Sequence, residues 1–205
     1  ELTADGYTAQ IIPDLGNHAR QALGGDHLES SYHGRLVRID LDRFGECAPS
    51  PGACDAVDVL DLTTFDQDLR GFASGFVAGS QGYLVPQRNR DLRGAQGFFG
   101  KVVRVDLENL LVEKVLDLTQ YQPLRRSDPK YAAVQAQLGG ENLRGFIGGA
   151  SWGQYGLLFP HRNDMYERNY NKRAHSSLLV RLDLNDFTLR GVLVLDLATV
   201  FRQQT

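Results

Sequence analysis

Apolar residues in this chain come in short bursts interleaved with polar ones. In Gly100-Lys101-Val102-Val103-Arg104-Val105-Asp106-Leu107, Arg104 and Asp106 alternate with Val103, Val105 and Leu107. That is the period of two expected of a half-buried strand. Other bursts, such as Val59-Leu60-Asp61-Leu62 and Gly82-Tyr83-Leu84-Val85-Pro86, are rich in Val, Leu and aromatic residues and are bounded by Gly, Pro, Asn or Asp. Each of these predicts a short strand closed by turn-forming residues. No burst approaches the run of about 20 apolar residues that a membrane-spanning helix needs.

The bursts repeat. Leu69-Arg70-Gly71-Phe72 returns as Leu143-Arg144-Gly145-Phe146, and Gly82 to Asn89 (GYLVPQRN) returns as Gly156 to Asn163 (GLLFPHRN), both at an offset of 74. A weaker copy of the second motif, Ile11-Ile12-Pro13 with Asn17, precedes them by 73 residues. A third motif appears three times, from Gly34 (GRLVRIDL), Gly100 (GKVVRVDL) and Ser177 (SLLVRLDL). A fourth also appears three times, as Val59 to Leu62, Val115 to Leu118 and Val194 to Leu197. Gly-rich segments join the first two motifs, and segments such as Glu108-Asn109-Leu110 join the last two. One repeat is therefore four sequential antiparallel strands.

Four-stranded meanders repeated along a chain resemble the blades of the β-propeller superfamily. The resemblance covers nearly the whole chain and rests on the repeat pattern; the Gly-His and Trp-Asp pairing of WD repeats and a regular kelch Gly-Gly doublet are both absent. It implies an all-β fold of about three blades, at residues 1–65, 66–139 and 140–205. The first blade is expected to lack its opening strand, giving eleven strands. Propellers close with about four to eight blades. The chain is thus expected to be either a stretch of a larger propeller or a unit that associates, one copy supplying the inner strand another lacks. Within Thr119–Asn142, Ser127-Asp128, Pro129 and Gly139-Gly140 bracket Lys130–Leu138 and predict one short helix.

Composition narrows the function classes. Of 205 residues, 42% are hydrophobic and 23% charged, with a net charge of −3; this excludes a disordered chain and gives no overall case for nucleic-acid binding. The chain opens at Glu1, which reads as a processed product or an excerpt. Cys47 and Cys54 flank Ala-Pro-Ser-Pro-Gly-Ala, a turn-forming segment that can bring two Cβ atoms within disulfide reach. That pairing predicts an extracellular or cell-surface location.

Catalytic signatures are missing: no Gly-x-Ser-x-Gly elbow, phosphate loop or dinucleotide fingerprint occurs, and the five His form no metal-ligating pair in sequence. No cofactor or metal is expected. The Arg-x-Asp-Leu triplets (Arg38/Asp40, Arg104/Asp106, Arg181/Asp183) recur once per blade, which points to structure rather than to a single site. Arg88-Asn89 and Arg162-Asn163 open loops after the second strand of a blade. With His161, Tyr166 and Tyr170 of the polar, aromatic segment 161–175, they are the candidate ligand-binding residues, since Tyr, Arg and Asn supply contact area and hydrogen bonds. The expected function is a non-enzymatic extracellular module for protein interaction or structural assembly. A carbohydrate-binding propeller is the alternative, and a hydrolase or lyase with its site on a propeller face the third. The expected partner is protein, either a second copy or the rest of a larger propeller, with glycan second and neither nucleic acid nor a membrane span involved.

Overall fold

All four repeated motifs form strands, and each strand pairs with its neighbours in chain order. The computed structural model describes residues 2–4, 7–11, 33–47, 55–89, 97–123, 138–140, 143–163 and 175–202. Among these, twelve strands form three antiparallel sheets of four. The first sheet holds β1 (Leu2–Ala4), β2 (Tyr7–Ile11), β3 (Arg35–Asp40) and β4 (Val57–Asp61). The second holds β5 (Phe72–Ala78), β6 (Gln81–Pro86), β7 (Lys101–Asp106) and β8 (Leu111–Asp117). β9 (Phe146–Trp152), β10 (Tyr155–Pro160), β11 (Leu178–Asp183) and β12 (Val192–Asp196) make the third. No helix of the described residues is long and apolar enough to cross a membrane.

The first sheet is complete, which corrects the expectation of eleven strands and of an opening blade without its first strand. β1 pairs with β2 in the register Ala4↔Tyr7, 74 residues before Ala78↔Gln81. It matches only the last three residues of β5, too few to show a period of two, and no Leu-Arg-Gly-Phe marks it. After β12 the chain forms a helix, α1 (Leu197–Arg202), where the first two sheets are followed by 3₁₀ turns at Leu62–Thr64 and Leu118–Gln120. Cys54 and most of the helix expected at Lys130–Leu138 lie outside the described residues.

The aspartates of the repeats shape the turns. At the end of the fourth strand, Asp61 accepts bonds from the Thr63 amide (2.9 Å) and hydroxyl (2.5 Å), and Asp117 accepts them from Thr119 (3.0 and 2.6 Å). Capping a turn with a short carboxylate satisfies amides that would otherwise lack acceptors. Between the third and fourth strands, Asp40, Asp106 and Asp183 each accept from the backbone N–H groups two and three residues on. The Asp of Arg-x-Asp-Leu is therefore a turn residue.

The sheets stack face to face, their first strands lying beside one another, β1 near β5 and β5 near β9. One apolar cluster joins the first and second sheets through Leu36, Leu62, Leu69, Phe72, Leu84, Val103 and Val105. Another joins the second and third through Phe76, Tyr83, Val102, Phe146, Leu158, Val180 and Leu182. Phe76 stacks on Tyr83 at 5.0 Å and lies where a Cβ on Gly149 or Gly156 would come within 2.7 Å or 2.6 Å of its ring. Glycine at those two positions is what lets the ring sit between strands. Tyr83 in turn meets Phe187 of the third sheet edge-to-face at 5.4 Å.

Candidate functional site

Two regions of the molecule have the makings of a site: the joints between sheets, whose surfaces recur at the ends of the stack, and the loop end that holds the candidate ligand-binding residues.

Each joint has a lock and a latch. A Cβ on Gly34 would collide with the Leu69 carbonyl oxygen, and one on Gly100 with the Leu143 carbonyl oxygen. The Leu-Arg-Gly-Phe segment that opens a sheet is thereby seated on a glycine of the sheet before it, with both leucines fully buried. The latch is the Arg of Arg-x-Asp-Leu. Arg38 Nη1 donates to the carbonyls of Leu107 (3.0 Å) and Glu108 (2.6 Å) in the next sheet, while its Nη2 pairs with Asp58 at 2.7 Å. Arg104 pairs with Glu113 at 2.7 Å and lies over the Phe187 ring of the third sheet, 5.4 Å from its centroid.

The third sheet departs from this pattern at one point. Ser177 stands where Gly34 and Gly100 stand, since Leu197 N bonds its carbonyl as Leu62 and Leu118 bond theirs. Ala198 stands where Thr63 and Thr119 stand. Ser177 Oγ now donates to Asp196 Oδ1 at 2.6 Å. Burial pushes the Asp196 carboxyl up, but the bonds from Ser177, Thr199 and the turn amides outweigh it and leave it below the usual carboxylate range. The hydroxyl has moved across the turn, and its Cβ fills the seat that received a carbonyl in the other two joints.

The loop end gathers the segments after the second strands and those entering the first strands. Asn89 and Asn163 are buried. Asn89 Nδ2 donates to the Asp68 carbonyl at 3.1 Å and its backbone N–H to that of Gly97 at 2.6 Å. These bonds brace one loop against another. Arg88 forms an isolated bridge with Phe98 and lies 5.3 Å over its ring. Arg162 bridges to His175, and this brings the His161 and His175 rings edge-to-face at 6.1 Å. Tyr166 and Tyr170 lie outside the described residues.

Three features of this end escaped the sequence. Arg144 Nη1 donates to the Phe98 carbonyl at 3.2 Å, and burial pulls its pKa down with Asp117 opposing. Lys101 Nζ bridges Asp66 at 2.7 Å and Asp68 at 3.0 Å. Burial acts most strongly on Lys101 and lowers its pKa, yet the two carboxylates more than offset it and hold the ammonium above its ordinary value. His175 pairs with His161 although thirteen residues lie between them in the sequence. For Arg144 the recurring Arg-Gly was a usable signal; for the Lys101 bridge and the histidine pair the loop path was needed. The described residues hold no cluster of three or more His, Cys, Asp or Glu suited to a metal ion. No protein-family model, curated protein or solved structure matches this chain.

Proposed function

We propose that the three sheets are blades of a β-propeller, and that the chain is a non-enzymatic extracellular module for protein interaction or structural assembly. The observation that carries this reading is the state of the two outer faces. Leu107 and Leu184, at the turn between third and fourth strands, are 5% and 8% exposed, but Leu41 of the first sheet is 54% exposed. Leu116 in the second sheet is 5% exposed, whereas its counterpart Leu195 in the third is 48% exposed. Residues that a neighbouring sheet covers in the middle of the stack are bare at both ends. Large exposed apolar patches mark interaction surfaces, and stacked blades need further blades beside them to close.

A photo-reactive residue at Leu195 or Val59 tests the reading in the cells that make the protein. Adducts are expected from both positions, with cross-linked peptides from four-stranded repeat sheets of this chain or a longer one. The reading fails if neither position yields an adduct, or if the chain shows turnover that is lost in His161→Ala or His175→Ala.

A further inference from the structure

The two joints differ beside their fourth strands. In the first, Asp58 on β4 stands opposite Arg38, which binds it and the Leu107 and Glu108 carbonyls of the next sheet. In the second, the residue opposite Arg104 is Lys114. Like charges do not pair, and Arg104 turns instead to Glu113 at 2.7 Å. The turn on the other side of the joint differs too. Residues 184–191 connect β11 to β12, a longer run than 107–110 between β7 and β8, and they bring Thr188, Leu189 and Arg190 toward β8. Between them lies a groove of about 550 Å³, a volume in the range of ligand sites.

The groove is lined in three ways. Its apolar part is the buried Leu116 and the half-buried Leu189. Its charged part is cationic in effect. Asp117 engages the Thr119 amide and hydroxyl, and Asp186 accepts from the Thr188 hydroxyl at 2.7 Å. The side chains of Lys114 and Arg190, by contrast, have no hydrogen-bond or ion-pair partner among the described residues. The third part is backbone. β8 ends the second sheet and, among the described residues, pairs only with β7. Leu118 N bonds the Gly100 carbonyl, and bonded and non-bonded pairs alternate along an antiparallel ladder. Val115 and Asp117 therefore turn their N–H and C=O groups away from β7. The Val115 side chain packs on the cluster of the first joint, so what it presents to the groove is this outward backbone.

Each part answers one feature of an extended peptide. An unpaired strand edge offers main-chain bonds to another chain. Side chains of an added strand alternate, so two that face the groove lie two residues apart, as Lys114 and Leu116 do. We infer that the groove takes an extended segment of a partner protein as a fifth strand on β8. An acidic residue of that segment lies against Lys114 and Arg190, and an apolar residue two positions away lies against Leu116 and Leu189. The inference rests on the reading of the chain as a protein-interaction module, but on neither outer face. A small amphipathic anion would match the cations and the leucines and leave the edge of β8 unpaired.

A phage-displayed library of random short peptides, selected on the full chain, supplies the probes, and fluorescence polarisation of the selected peptides measures their affinity. They are expected to carry an acidic residue two positions from an apolar one. Lys114→Glu with Arg190→Glu should weaken binding about tenfold, since each exposed ion pair contributes up to about fivefold. Peptides with Lys in place of the acid should bind that double variant again, and far-ultraviolet circular dichroism checks that it is folded. A further arm needs no variant of the chain: N-methylation of the peptide amides that face β8 should abolish binding, and methylation of the alternate amides should not. The inference is overturned by a library that yields no binder, by binders without the acid, by affinity indifferent to the double variant, or by N-methylation effects that do not alternate. Dodecanoate that displaces the peptides and binds as tightly would assign the groove to a small amphipathic anion and overturn it too. Cross-linking from Leu195 and Val59 does not involve the groove, so it shows separately whether the reading as an interaction module has fallen.

Discussion

Gly100→Ala is the sharpest perturbation of a joint. The new methyl would collide with the Leu143 backbone carbonyl and come within 3.2 Å of Thr119 Cγ2. A carbonyl tied to the chain of the next sheet cannot rotate away as a side-chain tip can, so the third sheet has to shift from the second. Forcing a methyl into a packed interior costs about 1–3 kcal/mol. In a domain of this size each kcal/mol moves the melting temperature by about 2–4 °C, so Tm is expected to fall by about 2–12 °C. The sign is diagnostic. In a strand with open space beside it, replacing Gly by Ala would stabilise by about 0.5–1 kcal/mol, since glycine loses more backbone freedom on folding. Gly45→Ala, with nothing within 4 Å, serves as the control and should leave Tm nearly unchanged. Gly100→Ser with Thr119→Ala copies the arrangement of the third sheet. It restores a hydroxyl beside Asp117 but keeps the collision, so it should melt no higher than Gly100→Ala. Thermal unfolding followed by circular dichroism decides the matter. An unchanged or raised Tm in Gly100→Ala would refute the seating of Leu143 on Gly100.

Three further outcomes follow from the same structure. Phe76→Ala removes a ring buried between strands and stacked on Tyr83; urea unfolding should show a loss of about 3–5 kcal/mol, and a loss below about 1 kcal/mol would contradict the packing described. Asp61 is held below the usual carboxylate range, chiefly by the Thr63 hydroxyl, and Asp66 is too, because Lys101 and the Asp68 amide outweigh the burial that pushes it up. Groups whose folded pKa is depressed stabilise above their unfolded value and lose that contribution as pH falls through the folded one. Unfolding free energy should therefore drop as pH goes below about 4, and Asp66→Asn should flatten that drop. The raised Lys101 pKa works in the other direction: its share is full below the ordinary lysine value and is lost only in strong alkali above the raised one. If Cys47 and Cys54 are joined, the small loop they close adds about 2–3 kcal/mol; peptide mapping of the chain from its native source without reductant should find neither thiol alkylated, and alkylation of both would contradict the expected pairing.

How far the sequence reached depended on what kind of information each feature carried. The strand motifs repeat in fixed order, so their number, order and antiparallel pairing were readable except for β1, whose three residues hold too little pattern. The structural role of Arg-x-Asp-Leu was also readable, because a group present in every sheet serves the sheet. Its division of labour was not: Asp40 caps its own turn while Arg38 reaches the carbonyls of the next sheet, and only the stacking shows that. The same holds for Ser177. The letter change from Gly is plain in the third motif, but its meaning lies in a carbonyl from a segment more than forty residues away in the second joint. At the loop end, the bond from Asn89 to the Asp68 carbonyl joins positions 21 residues apart, which turn chemistry alone does not give. The pairing of His161 with His175 follows from the bridge between Arg162 and His175, which no local rule supplies.

The central claim is that the three sheets fan out as blades, joined near their first strands and diverging toward their fourth. Double spin labelling tests it directly, by comparing the distance between β5 and β9 with the distance between β8 and β12, using accessible positions on or beside each strand, such as Gly79 after β5. The account predicts that the distance between the outer strands clearly exceeds that between the inner ones. Equal distances would mean sheets stacked in parallel layers and would contradict the propeller.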